Sequence, residues 1–144
     1  VGARNGFISY NSNMSKDIKE YTIMSGKNDV GVGNIPMCED FTHAIVSVNT
    51  TGSTNCTLKF GGSIAEEAPD FAAGQSPTNS YDFIQVKDLE DGSTLDGDTG
   101  LVLSGTDDNR MFEMNTNALR FMTARLTAIS AGAVTVKVRL YNNY

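Results

Sequence analysis

The segment from Val46 to Phe60 has an echo eighty positions later, from Leu126 to Leu140. Apolar meets apolar at 46/126, 48/128, 56/136, 58/138 and 60/140, Gly52 meets Gly132, and Lys59 meets Arg139. Within the later copy the even positions Ala124, Leu126, Ala128, Val134, Val136, Val138 and Leu140 are apolar. The odd positions Thr123, Arg125, Thr127, Thr135, Lys137 and Arg139 are polar. Strict alternation of this kind marks strands with one dry and one wet face. A one-residue slip in pairing would send the whole apolar set to solvent, so even positions must pair with even positions. Three-residue loops at Ala131-Gly132-Ala133 and Thr51-Gly52-Ser53 satisfy that parity. The sequence therefore predicts two β-hairpins, with Val46 and Val48 facing Cys56 and Leu58 across the first. Pressed together, the two dry faces would form a core of Val46, Val48, Leu58, Phe60, Leu126, Val136, Val138 and Leu140.

At 144 residues the chain is long enough to bury such a core as one domain. Its 14 glycines, with abundant Asn, Ser, Thr and Asp between short apolar runs, fit many turns and short strands. Further strands are expected at Tyr21 to Met24, Tyr81 to Val86, Gly100 to Leu103 and Met111 to Asn115. At most one helical turn is expected at Ile64 to Ala68, closed by Pro69. The expected fold is all-β, a two-sheet, jelly-roll-like β-sandwich of about eight strands spanning residues 18 to 144. Residues 1 to 17 read as an N-terminal arm or edge strand. Phe7, Ile8 and Tyr10 are its candidate partner-binding residues, because they alone could anchor it.

The net charge of −6 argues against nucleic acid as a partner, since phosphate contacts need a basic face. No run of about 18 apolar residues is present, so no membrane span is expected. The start, Val1-Gly2-Ala3-Arg4-Asn5, lacks the charged-then-apolar layout of a secretory signal. Cys38 and Cys56 are expected to be free, buried thiols, because two cysteines do not make a disulfide framework in a chain of this size.

The residues that carry chemistry form no catalytic pattern, and no cofactor is expected. Asp88, Glu90, Asp91, Asp96 and Asp98, followed by Asp107 and Asp108, are the strongest candidates for holding a Ca²⁺ ion. The run Asp96-Gly97-Asp98-Thr99-Gly100 lacks the distal Glu of an EF-hand, which favours solvated turns. His43, the only histidine, sits at an outward position of a strand and reads as a surface imidazole. In Met111-Phe112-Glu113-Met114, parity puts either Phe112 or the Met111/Glu113 pair outside, as a surface for a partner.

The order of parts from Tyr81 to Tyr144 is an aromatic strand, an acidic DGDTG turn, an RMFEMNTNALRF stretch and a closing TAISAGAVTVKV segment. It resembles the C-terminal part of small virion structural proteins of tailed bacteriophages. The resemblance implies a non-enzymatic β-sandwich that decorates or cements the outer surface of a capsid. It also implies the major capsid protein as partner and repeated copies or a homo-oligomer on the shell. The alternative is a carbohydrate- or receptor-binding domain of a tail, baseplate or fibre, with Tyr10, Tyr21, Tyr81, Tyr141 and Tyr144 as stacking residues.

Overall fold

The computed structural model describes residues 17–143. Nine strands are formed among them: β1 (Lys19–Lys27), β2 (Gly31–Val32), β3 (His43–Ser63), β4 (Asp82–Phe83), β5 (Val86–Asp88), β6 (Thr94–Leu95), β7 (Leu101–Leu103), β8 (Asn109–Asn115) and β9 (Phe121–Tyr141). All pairings between them are antiparallel. The all-β class stands. No helical turn forms at Ile64 to Ala68, where Pro69 limits propagation. The expected strand from Tyr81 to Val86 is broken into β4 and the start of β5.

The two predicted hairpins do not form. Each copy of the echo is instead one continuous strand of 21 residues, and the two strands pair with each other from end to end. Val46 lies opposite Val138 and Val48 opposite Val136, in place of Leu58 and Cys56. Leu58 lies opposite Leu126 and Phe60 opposite Ala124. The even-with-even rule is kept in both arms of the ribbon, with a partner from the other copy. The bulges break it between them, where Cys56 lies opposite Ile129 and Thr57 opposite Ala128, and Ala128, expected on the dry face, is exposed.

This pairing explains the echo. Adding eighty to Val46 and subtracting eighty from Val138 turns one rung of the ladder, Val46 with Val138, into another, Leu126 with Leu58. The ribbon of β3 and β9 thus has an internal pseudo-two-fold, with Gly52 and Gly132 at its centre. Both glycines have positive φ, 76° and 78°, a conformation that strains any residue with a Cβ. The relation extends to the flanking strands. Tyr21 of β1 pairs with Val138, and its counterpart Leu101 of β7 pairs with Leu58. Gly31 of β2 pairs with Leu126, and Phe112 of β8, offset by one residue from strict correspondence, pairs with Val46. Two β-β-β units, β1–β3 and β7–β9, are therefore interleaved, each laying its first two strands on the other's third.

One hydrogen-bonded sheet supplies both layers, where two separate sheets were expected. Bulges interrupt the ribbon between Thr51 and Asn55 and again before Leu58, which is how a strand turns a corner from one layer into the next. Phe112 is the cross-strand neighbour of Val46, fourteen positions before Phe60 in β3. An extended strand would separate those positions by about 46 Å. The rings of Phe60 and Phe112 nevertheless lie 6.1 Å apart, so the strand folds back on itself.

The expected core residues Val46, Val48, Leu58, Phe60, Leu126, Val136, Val138 and Leu140 all lie in one buried cluster. Ile23, Phe112, Met114 and Met122 join them. Cys38 and Cys56 are free and buried. Burial is the main force raising both thiols' pKa values, to about 11 for Cys38, which keeps them protonated and inert.

Candidate interaction surface

Because the ribbon folds at its centre, it has a first half, 43–50 with 134–141, and a second half, 54–63 with 121–129. Their inner faces share the core. Their outer faces differ.

The second half is covered. The long connection between β3 and β4 lays Phe71 over Gly61, where a Cβ would stand only 2.9 Å from the Phe71 ring. Phe71, Tyr81 and Phe121 form a second buried cluster there, packed against Val32, Ile35 and Phe83. Phe71 and Tyr81 have ring centroids 5.0 Å apart, and the Tyr81 hydroxyl donates to the Ala73 carbonyl at 2.6 Å. Asn79 pins the loop by donating from its amide to the carbonyls of Asp70 (2.9 Å) and Gly74 (3.0 Å). Arg125 donates to the Phe71 carbonyl at 3.3 Å.

The first half is bare. Successive cross-strand partners point to the same side of a sheet. The register therefore sets Lys87, Glu113, Ile45, Arg139 and Glu20 in one row across β5, β8, β3, β9 and β1. The row beside it holds Met111, Ser47, Lys137 and Thr22, and the next on the opposite side holds Asn115, His43 and Tyr141. Inner neighbours of these residues, Phe112, Met114, Val46, Val138 and Leu140, are buried. Met111 is 53% exposed, and Leu89, whose amide donates to the Met111 carbonyl, is 43% exposed. With Glu90, Asn109 and Arg110 they line an open groove of about 260 Å³.

His43 and Tyr141 occupy the places that Thr123 and Gly61 hold in the other half. Their rings stack with centroids 5.6 Å apart, filling the position that Phe71 fills over Gly61. The Tyr141 hydroxyl donates to Glu113 at 2.7 Å. Desolvation, then the bond to Glu113 and that carboxylate's charge, push the Tyr141 pKa up to about 12. The Nδ1 of His43 is 2.9 Å from the Thr42 hydroxyl. The imidazole is thus part of the sheet's outer face.

The acidic run is used by the chain itself. Asp88 is buried and forms an ion pair with Arg110, whose guanidinium lies 3.8 Å from Glu90 and 5.6 Å from the Phe112 ring centroid. Asp91 accepts from the Ser93 hydroxyl (2.7 Å) and amide (2.9 Å), which hold its carboxyl below the usual range. Asp96 accepts from the Thr99 amide at 3.0 Å and hydroxyl at 3.2 Å. Asp107, itself at φ 52°, accepts from the Gly52 amide at 2.7 Å. These are turn-closing roles. Among the described residues, no three His, Cys, Asp or Glu side chains are grouped to hold a metal ion.

Phe7, Ile8 and Tyr10 lie outside the described residues, as do Tyr10's fellow stacking candidate Tyr144 and the arm to residue 16. The described tyrosines do not assemble a platform, because Tyr81 is buried within the β3–β4 connection and Tyr141 is stacked on His43, which leaves Tyr21 on β1 as the exposed one. Parity in Met111-Phe112-Glu113-Met114 is resolved with Met111 and Glu113 outward. Leu89 and Ile45 were missed as surface residues, since only the long-range register puts them beside Met111 and Glu113.

No protein-family model matches the sequence, and no curated protein matches it. Two solved structures share the fold. The SPBc2 prophage-derived protein YomS superposes with a TM-score of 0.64 at 14% identity, covering 94% of this chain and 98% of its own. The PBSX exported protein XepA gives a TM-score of 0.64 at 14% identity, covering 97% of this chain and 47% of its own. The chain therefore spans the whole of one neighbour and about half of the other, with the same fold in both.

Proposed function

We propose that the chain is a non-enzymatic virion structural protein of a bacteriophage. It binds the outer surface of the capsid, with the major capsid protein as partner, and stabilises or decorates the shell. The observation that carries this reading is the end-to-end likeness to a prophage-derived protein, 98% of whose length is covered. The phage-like order of parts from Tyr81 to Tyr144 supports it independently. A protein that binds only the assembled form stabilises that form by mass action, which requires a stable surface and no turnover chemistry. The carboxylates most suggestive of chemistry are committed to an ion pair and to turns, in keeping with this role. The N-terminal arm, through Phe7, Ile8 and Tyr10, is the proposed capsid contact, adding a strand or an anchor to a neighbour's edge.

Cosedimentation of the purified chain with shells lacking it tests the proposal. Saturable binding at a fixed ratio to capsid subunits, lost on deletion of the arm, is expected. Absence of shell binding, with capture by tails or by glycans instead, would move the assignment to the tail or receptor-binding alternative.

A further inference from the structure

We infer that the bare outer face of the first half is a self-docking surface, and that its partner is a second copy of this chain related by a two-fold axis parallel to the strands. The argument rests on one row of side chains and does not depend on the capsid assignment.

Across β5, β8, β3, β9 and β1 the row reads Lys87, Glu113, Ile45, Arg139, Glu20. In charge this is plus, minus, neutral, plus, minus. A two-fold axis in the plane of contact, running along β3 beneath Ile45, lays the row on its own reverse. Lys87 then faces the partner's Glu20, and Glu113 faces the partner's Arg139. Ile45 meets the partner's Ile45 on the axis. All four charged positions meet an opposite charge. Rotating the partner about the perpendicular in-plane axis would instead set Lys87 on Lys87 and Glu113 on Glu113, so charge selects one of the two arrangements. In the adjacent row the same operation puts Lys137 over Met111, where its aliphatic stem covers an apolar side chain that is 53% exposed, and Ser47 over Ser47. No like charges are brought together in either row.

Arg139 and Glu20 already lie 3.2 Å apart within one copy, and Glu113 accepts from Tyr141, so three of the four opposed charges are held in place before docking. The other half offers no such face, because the Phe71 cluster covers it. Five strands about 4.8 Å apart and about seven residues deep give a footprint on the order of 500 Å². A standard interface buries about 800 Å² per partner. The contact is therefore weak for an isolated pair and gains strength where copies are held side by side, by effective concentration.

The test is sedimentation velocity on the full chain over about a thousandfold range of concentration, with charge reversals. The wild type is expected to pass reversibly from monomer to dimer at the upper end, less readily at high salt. Arg139→Glu alone and Glu113→Arg alone should each weaken dimerisation about tenfold or more, because each sets like charges face to face. The double variant restores opposite charges and should return to within about threefold of the wild type. Lys87→Glu with Glu20→Lys, singly and together, repeats the test with fully outward residues should an Arg139 or Glu113 variant fail to fold. A wild type that stays monomeric throughout would overturn the inference. So would a dimer indifferent to the reversals, or a folded double variant that remains as weak as the singles.

Discussion

The two halves of the central ribbon are built on one plan and finished differently. Inside, each presents an apolar face to a shared core, rich in Val in the first half and built on Leu58, Phe60, Met122 and Leu126 in the second. The pseudo-two-fold relates their outer rungs, from 43/141 to 46/138 in one and from 61/123 to 58/126 in the other. Outside, the second half has Gly61 opposite Thr123, leaving a seat that the β3–β4 connection fills with Phe71. The first half has Tyr141 opposite His43, so the seat is filled from within the sheet and no loop is needed. A glycine in one place and a tyrosine in its counterpart thus decide which face is buried by the chain and which stays open to partners. Core positions are constrained alike by packing, whereas outer positions are free to diverge.

The largest effect that would break this comparison is the loss of the cover. Phe71→Ala removes a fully buried ring and should cost about 3 to 5 kcal/mol, measured by chemical denaturation. It should also make the connection from 64 to 81 protease-sensitive while leaving the first half folded. A change below about 1 kcal/mol would mean that the cover contributes little.

The two central glycines sharpen the comparison at its axis. Both have positive φ, but a Cβ on Gly132 would lie 2.8 Å from the Thr51 carbonyl oxygen and also press on the Thr54 hydroxyl. A Cβ on Gly52 meets nothing within 4 Å. Gly132→Ala is expected to lose about 2 to 3 kcal/mol and Gly52→Ala about 1 kcal/mol, since only the first adds a clash to the strained backbone. Equal losses in thermal unfolding would show that the crowding around Gly132 relaxes freely.

A smaller effect separates the aromatic seals. Tyr141 has its folded-state pKa raised to about 12 from an ordinary 10.0. The neutral phenol is therefore favoured by folding. Its contribution is fully present below pH 10 and is lost as pH climbs from about 10 to about 12. Tyr141→Phe should cost about 1 kcal/mol near neutrality, through the lost bond to Glu113, and should flatten this part of the alkaline stability profile. Unchanged steepness between those pH values would assign the alkaline loss to other groups.

How far the sequence revealed this fold depends on what parity can and cannot distinguish. The echo, all eight core residues and the dry and wet faces outside Ala128, which is exposed, and Thr123, which is buried, were legible, because alternation is a local property. The partner strand was not. A hairpin about Gly52 pairs Val46 with Leu58, and the crossed ribbon pairs it with Val138; both join even to even and bury the same side chains. Loop-closure entropy favours the nearer partner, and only the interleaving of β1, β2, β7 and β8 with the opposite unit favours the farther one. The acidic run reads as turns, and Asp91, Asp96 and Asp107 do close turns, but the ion pair within it was not legible for a related reason. Its most buried member, Asp88, is neutralised by Arg110, which lies 22 positions away and reaches it only because β5 pairs with β8. The outward Met111 and Glu113 were legible as a pair, but the five-residue charge row needed four strand pairings to assemble.

Two methionines of nearly equal exposure stand on opposite halves: Met111 on the bare face, 53% exposed, and Met37, bridged to Phe121 beside the covered one, 59% exposed. Peroxide footprinting of both, in the dilute chain and in the particle-bound chain, asks directly whether the bare face is the working surface. The account predicts that both oxidise alike in the dilute chain and that Met111 alone is protected after assembly. Protection of Met37 with Met111 still reactive, or of neither, would contradict it.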